Sequence, residues 1–243
     1  RRFTSQSIRQ FFHERYTTDR MVISIVGSAD FKRVVTLCEK YFGPYPQCTS
    51  LVNRAMAPMP LRFDTTINKR THQCHVLIGC PAPNAYDEKK VGFTLLNNIL
   101  GGPAMNSRLN VAVREKHGFC YTIESQYTPF SDAGLFYIYA GIQAEAKERF
   151  SELVLRELRL LREKPLTTLQ LHAAQQQFIA QMAISNEQAL NEMQAIGKAY
   201  MVYGRVDTLE EMAQDIEGVT AGKIQDLANE MLTDEALSYL FYL

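Results

Sequence analysis

The sequence has no excess of either charge, since its 26 basic residues equal its 26 acidic ones. A neutral chain lacks the electrostatic attraction that draws proteins to nucleic acids and anionic membrane surfaces. The sequence also lacks any apolar run near the roughly 20 residues that a membrane-spanning helix needs. We therefore predict neither a nucleic-acid partner nor a membrane span.

Cysteine is scarce and odd in number. The five cysteines show neither C-x-x-C spacing nor a dense disulfide pattern, so reduced thiols are expected. They are Cys38, Cys48, Cys74, Cys80 and Cys120. Reduced thiols favour a cytoplasmic location, and a periplasmic one stays open because the chain is expected to begin inside a longer protein.

The histidine patterns of a catalytic zinc site are missing. None of the five histidines begins an H-x-x-E-H or H-E-x-x-H pattern, which would supply the paired imidazoles. The segment THQCHVLIGC places His72 and Cys74 on one strand face and His75 on the other, so only two ligands converge. Because a structural zinc site usually has four ligands, we predict no metal site in this chain.

The most informative segment is GGPAMNSRLNVAVREKHGFCY, residues 101–121. Its apolar positions recur at helical spacing and predict a short helix over Asn106–Lys116 that packs on a core; they are Leu109, Ala112 and Val113. Asn106 or Ser107 can cap the start of this helix, and Gly118 can adopt the left-handed conformation that ends it.

Arg114 and Tyr121 are the candidate functional pair. Arg114 lies one turn before the helix stop and Tyr121 three residues after it, so the two side chains can converge. A guanidinium and a phenol both donate hydrogen bonds, which suits an oxygen that gains negative charge during reaction. The alternative is a structural ion pair beside a core tyrosine. His117 and Cys120 are a weaker base and nucleophile pair, since the strand pleat directs Cys120 away from Tyr121 and into the core, where thiols are inert.

The spacing GGxxxxSRLxxxVREKxGxxY resembles a signature of the pitrilysin-type zinc peptidases, the family of insulin-degrading enzyme and the mitochondrial processing peptidase. In that family a first half carries H-x-x-E-H, and a homologous second half contributes an arginine and a tyrosine that contact the substrate carbonyl. Arg114 and Tyr121 have the matching separation of seven residues. The resemblance is to short bacterial members, covers nearly the whole chain and is most specific in this motif.

The resemblance implies that the chain is the C-terminal, non-zinc half of a zinc-dependent endopeptidase acting on peptides or small unfolded proteins. Arg114 and Tyr121 would stabilise the oxyanion, and the implied substrate-binding positions are Gly101, Gly102, Ser107 and Arg108. The glycine pair is equally compatible with a simple helix stop.

The same resemblance implies the partners and the cofactor. Zinc is expected only in an N-terminal half of the same polypeptide, so this chain alone should be inactive. The other expected partners are a peptide substrate and a second copy or a paralogue. The alternative function is a catalytically inactive peptide-binding or scaffold subunit of the same fold.

A faint internal repeat supports a two-module organisation. The segment that begins at Phe3 aligns with the segment that begins at Val219 at a constant offset of 216 positions. Both segments read as a capped helix followed by an apolar strand. We therefore predict a helix-strand-helix tail of a truncated metal-binding module over residues 1–46, a linker over 47–66 and a second module over 67–243.

The order of predicted elements indicates an α+β sandwich, in which a mostly antiparallel sheet carries helices on one face. The predicted strands are Met21–Val26, Gln73–Cys80, Phe119–Thr128, Leu135–Gln143 and Leu237–Tyr242. The predicted helices, besides Asn106–Lys116, are Ser5–Arg15, Phe31–Tyr41, Asp87–Leu100, Lys147–Glu163, Thr168–Ile184, Asn186–Tyr203, Thr208–Ile216 and Thr220–Met231. Strand alternation places Tyr121, Ile123, Ser125 and Tyr127 on one packed face. Tyr127, Tyr137 and Tyr139 are expected either in the core or on a peptide-binding surface.

Overall fold

The computed structural model describes residues 3–48, 57–69 and 71–243. The chain forms two compact units, one comprising residues 1–55 with 182–208 and the other comprising 56–181 with 209–243. The grouping of residues 182–208 with the N-terminal segment was not predicted. Part of the predicted linker, residues 49–56, lies outside the described residues, and the assignment of 1–46 to a truncated module stays a prediction.

The described residues contain eight α-helices and five strands. The helices are α1 Ser5–Arg15, α2 Phe31–Phe42, α3 Lys90–Gly101, α4 Lys147–Glu163, α5 Thr168–Asn186, α6 Ala189–Tyr203, α7 Leu209–Glu217 and α8 Ala221–Met231. The strands are β1 Asp64–Ile67, β2 Cys74–Ala82, β3 Cys120–Pro129, β4 Gly134–Ile142 and β5 Ser238–Tyr242. No helix among the described residues is both long enough and apolar enough to cross a membrane.

The larger unit is built on a mixed sheet with strand order β1-β5-β2-β4-β3. Strand β1 runs parallel to β5, and the other neighbouring strands are antiparallel. The predicted α+β fold is therefore confirmed. Strand β1 lies at the end of the predicted linker and was missed, because its four residues DTTI show no alternation of apolar and polar side chains.

The hydrophobic core lies on one face of this sheet. Alternate residues of β2 and β4 point into it, as the period of two along a strand requires. They meet apolar side chains of α3, α4 and α8, which present one stripe each because apolar residues recur at helical spacing. The fully buried members include Val76, Ile78, Phe136, Ile138, Phe93, Leu96, Leu158 and Ile224.

The smaller unit begins with α1, which has a capping box between Thr4 and Ser7. The strand predicted over Met21–Val26 is not formed with any of the described residues, although its side chains alternate between exposed and half-buried. A strand requires a hydrogen-bonded neighbour, and alternation alone does not supply one. The segment is instead attached through the Ser24 hydroxyl, which donates to the carbonyl of Met193 at 2.7 Å.

The hairpin of β3 and β4 corrects one sequence prediction. Cys120 pairs with Ile142 and Ile123 pairs with Ala140, so three steps along β3 match two steps along β4. This irregularity is a β-bulge, which reverses the alternation of side chains. Cys120 and Ile123 therefore both face the core, and the prediction that Tyr121 shares the packed face of Ile123 is wrong.

Candidate functional site

The helix that carries Arg114 contains a π-helical turn, which was not predicted. Helical structure begins at Arg108, and Asn110–Glu115 forms a π-helical turn in which the Lys116 amide donates to the Val111 carbonyl at 3.2 Å. Single π-turns inside helices are frequent at functional sites. Gly118 ends the turn at φ 65°, as the sequence predicted, and its amide donates to the Arg114 carbonyl at 2.9 Å.

The Arg114 side chain has a weak partner. One terminal nitrogen of its guanidinium lies 3.1 Å from the sulfur of Met105, and among the described residues Arg114 forms no ion pair. A thioether is a poor hydrogen-bond acceptor, so this contact leaves most of the donor capacity of the guanidinium unused. The charge of Arg114 also reaches Cys120, where it partly offsets the increase in thiol pKa that burial causes.

Arg108 contrasts with Arg114. Its Nε lies 3.3 Å from a carboxylate oxygen of Glu157, and both side chains are largely shielded from solvent. A shielded ion pair compensates the charge of the guanidinium and holds its geometry. Arg108 therefore has a structural partner within the domain, whereas Arg114 does not.

Tyr121 projects outward from the start of β3. Its side chain is 90% exposed, and its hydroxyl has no hydrogen-bond partner among the described residues. The bulge beside it is the cause, because regular alternation would have turned this ring into the core in line with Ile123. The structural alternative of a core tyrosine is thereby removed.

The turn between α3 and the Arg114 helix is fixed by side-chain hydrogen bonds. The Asn110 amide donates to the Ser107 hydroxyl at 2.8 Å and reaches the Ala104 carbonyl at 3.5 Å. The Asn106 amide donates to Gln177 of α5 at 2.8 Å. Ser107 and Asn106 thus hold the turn in place, and the Ser107 hydroxyl receives its hydrogen bond from a side chain instead of from the backbone of the following helix.

The glycine pair is buried where α3 ends against β3. A Cβ atom at Gly101 would lie 2.6 Å from the Ser125 backbone nitrogen, and one at Gly102 would lie 2.6 Å from the Asn98 carbonyl oxygen. Both distances are shorter than atoms tolerate, so glycine is needed here for close packing. Contact of these glycines with a substrate stays a prediction.

The Gly101→Ala variant should lower the free energy of unfolding by about 1–3 kcal/mol, the usual cost of inserting a methyl group into a packed site. Thermal unfolding of the purified chain measures this loss. Gly27→Ala is a suitable control, since a Cβ there would meet no atom within 4 Å. Equal melting temperatures for the two variants would contradict the close packing of α3 on β3.

A cleft of about 500 Å³ opens beside the same turn. Asn106, Ser107 and Arg108 line one side of it, and Lys164, Thr167 and Gln170 line the other. The cleft was not predicted, because the α4–α5 connection and α3 are separated by more than sixty residues in sequence and no local pattern relates them. Two of the predicted substrate-binding residues, Ser107 and Arg108, line this cleft, although Ser107 is only 4% exposed.

The cysteines and histidines of the described residues offer no converging set of metal ligands, and the buried thiols are poorly reactive. Among residues 3–48, 57–69 and 71–243, no group of three His, Cys, Asp or Glu side chains is placed to hold a metal ion. Burial raises the pKa of Cys74, and it raises the pKa of Cys80 to about 12. The Cys120 thiol, also buried, points opposite to Tyr121 as predicted. These thiols stay protonated at neutral pH and are poor nucleophiles.

The three strand tyrosines divide between the two faces of the sheet. Tyr127 packs edge-on against Phe93 and donates its hydroxyl proton to the Pro83 carbonyl at 2.7 Å, so it belongs to the core side. Tyr139 lies on the other face, where its hydroxyl is 2.9 Å from Nδ1 of His75. Tyr137, two residues before Tyr139 on β4, points to that same face.

Comparison with known proteins identifies relatives of this chain. A family model described as the peptidase M16 inactive domain matches residues 2–178. An uncharacterized zinc protease of Bacillus subtilis, YmxG, is 30% identical over 236 residues, which cover 96% of this chain and 56% of that protein. An uncharacterized zinc protease of Streptomyces coelicolor is 28% identical over 236 residues, which cover 94% of this chain and 51% of that protein. The chain thus spans about half the length of these curated relatives.

Solved structures show the same fold. A peptidase M16 inactive domain from Pseudomonas fluorescens superposes with a TM-score of 0.86 at 20% identity, covering 99% of this chain and 57% of that one. A protease from Helicobacter pylori superposes with a TM-score of 0.85 at 19% identity, covering 99% of this chain and 59% of that one. A chain of complex III2 from Candida albicans superposes with a TM-score of 0.73 at 13% identity, covering 89% of this chain and 53% of that one.

The family match confirms the resemblance that the Arg114–Tyr121 spacing indicated. It extends over residues 2–178, which is more than half of the chain. The protein therefore belongs to the M16 peptidase family, as an inactive domain of that family.

Proposed function

We propose that this chain is the substrate-binding half of a zinc-dependent endopeptidase, in which Arg114 and Tyr121 donate hydrogen bonds to the oxygen of the scissile carbonyl. The observation that carries the proposal is that neither donor, on either side of one turn, has a strong hydrogen-bond acceptor. Among the described residues, Arg114 has a thioether for a partner and the Tyr121 hydroxyl has none.

The two donors suit an oxyanion because little has to be given up when the oxygen arrives. Displacing a sulfur acceptor from Arg114 costs less than breaking an ion pair such as that of Arg108 with Glu157. Gly118 and the β-bulge shape the backbone on either side of the pair, and the proposal is that they direct both side chains toward one oxygen. Preorganised donors stabilise the charge that develops in the transition state without reorganisation.

The turn before Arg114 is proposed to lie along the peptide. Gly101 and Gly102 let its backbone approach β3 closely, while Ser107 and Arg108 border the cleft beside it. Peptides or small unfolded proteins are the proposed substrates. A second copy of the parent protein or a paralogue remains a proposed further partner.

The residues of this chain do not fit zinc, because among those described no three suitable ligands converge. We assign the metal to a separate half with an H-x-x-E-H motif, which the extra length of the curated zinc-protease relatives can accommodate. Residues 1–46 are proposed to be the tail of that half, and 67–243 the second module.

The test is complementation. This chain alone should hydrolyse no peptide and retain no stoichiometric zinc after dialysis, whereas adding the metal half should yield peptide cleavage. Elemental analysis and cleavage of a fluorogenic peptide measure the two results. A one-to-one zinc content in the isolated chain would contradict the assignment, and tight peptide binding without cleavage by the mixture would favour the scaffold function instead.

A further inference from the structure

The contact between Met105 and Arg114 connects the proposed site to an oxidisable atom. The Met105 side chain is 57% exposed, and its sulfur accepts a hydrogen bond from the Arg114 guanidinium at 3.1 Å. A solvent-accessible thioether is a target for peroxide oxidation to the sulfoxide. Oxidation at this position would therefore change the one acceptor that faces Arg114 among the described residues.

The position of Met105 is fixed by its neighbours. It occupies the turn whose ends are held by the hydrogen bonds of Asn106 to Gln177 and of Asn110 to Ser107. The Ser107 amide also donates to the Ala104 carbonyl at 3.0 Å, which closes the turn around Met105. A turn held on both sides keeps the backbone of Met105 in place, so the modified side chain can still reach Arg114.

We propose that Met105 is a redox-sensitive modification site, and that its sulfoxide occupies Arg114 as an internal mimic of the substrate oxygen. The inference rests on the proposed function of Arg114. In the reaction, the Met105 sulfur attacks one oxygen of hydrogen peroxide, the O–O bond breaks, an S–O bond forms and water leaves. The sulfur is oxidised by two electrons and the peroxide is reduced by two.

The product differs from the thioether in acceptor strength. A sulfoxide oxygen carries a large partial negative charge, and a hydrogen bond from a guanidinium to such an oxygen is charge-assisted and short. A peptide carbonyl would then have to displace a strong acceptor where it displaced a weak one before. Oxidation of Met105 is expected to weaken substrate engagement, and methionine sulfoxide reductases would restore it.

The experiment measures the accessibility of Arg114 directly, without any need for activity. The intact chain is treated with hydrogen peroxide, cleared of it and labelled with phenylglyoxal, and labelled arginines are located by peptide mass mapping. We expect the labelling rate of Arg114 in the wild type to fall about fivefold after peroxide, as a charge-assisted hydrogen bond replaces a weak one.

Two variants separate this effect from general oxidation. Met105→Leu keeps the apolar side chain but cannot gain oxygen, so its Arg114 labelling should be the same before and after peroxide. Met59→Leu removes a methionine that is 81% exposed, and it should behave like the wild type. Met105→Gln places an amide oxygen near the position of the sulfoxide oxygen, and it should label slowly without any peroxide.

The proposal is overturned if Met105 gains no oxygen, or if the wild type and Met105→Leu lose Arg114 labelling equally. Failure of the proposed function has a different signature. Full cleavage activity of Arg114→Ala in the complemented enzyme would remove Arg114 from substrate binding, yet it would leave the labelling results, and hence the sulfoxide contact, unaffected.

Discussion

Replacing Tyr121 with phenylalanine in the complemented peptidase should lower kcat by about 10²–10³-fold, the loss typical of one missing oxyanion donor. The change removes a single hydroxyl from a side chain that is 90% exposed, so the fold and the zinc content should not change. Arg114→Ala should give a loss of similar size. Steady-state kinetics with a saturating peptide, together with thermal unfolding of each variant, measure both effects.

The double variant distinguishes a shared oxygen from two independent roles. If both donors serve one oxygen, Arg114→Ala combined with Tyr121→Phe should lose less than the product of the single effects. Arg162→Ala is the contrasting control, because the loss of its ion pair with Asp234 should lower thermal stability more than it lowers kcat. Unchanged turnover of Tyr121→Phe at saturating peptide would reduce the family resemblance to one of fold.

The local features of the site could be predicted from sequence because they depend on local chemistry. A glycine after a short apolar-periodic helix ends that helix in the left-handed conformation, and Gly118 does so with φ 65°. The family spacing selected Arg114 and Tyr121 as the candidate pair, whose role stays a prediction, and strand alternation correctly placed the Cys120 thiol inward. Helix α4 begins and ends at the predicted residues, since its apolar stripe is regular throughout.

The features that the sequence did not predict correctly depend on residues far away along the chain. The bulge beside Tyr121 follows from the register between β3 and β4, which the residues of β3 alone do not specify. The four residues of β1 form a strand because they pair in parallel with β5, more than 170 positions away in sequence. Met21–Val26 shows the converse, since its alternation is typical of a strand but it has no strand partner among the described residues.

The contact of Arg114 with Met105 had no signal in sequence either. It requires the turn that Gln177 holds from α5, a residue 71 positions from its partner Asn106. The same turn also borders the cleft and follows the buried glycine pair at the end of α3. The geometry of the proposed site therefore depends on how rigidly α3 packs on the sheet.

Phe93 is a residue of α3 on which this packing depends. It is fully buried, and its ring meets those of Tyr127 and Phe136 edge-on at centroid distances of 4.9 and 5.6 Å. Phe93→Ala should lower the free energy of unfolding by about 3–5 kcal/mol, because a large cavity adds to the lost burial of the ring. Chemical denaturation of the purified chain measures the loss.

The matched control is Phe130→Ala, at a phenylalanine that is 51% exposed in the turn after β3. Its loss should stay below about 1 kcal/mol, since a half-exposed ring leaves no closed cavity. Phe93→Leu, which refills much of the space, should recover most of the stability lost in Phe93→Ala. If Phe93→Ala instead matched Phe130→Ala, α3 would not be anchored through this ring, and the support proposed for the glycine pair and the Arg114 turn would have to come from elsewhere in the core.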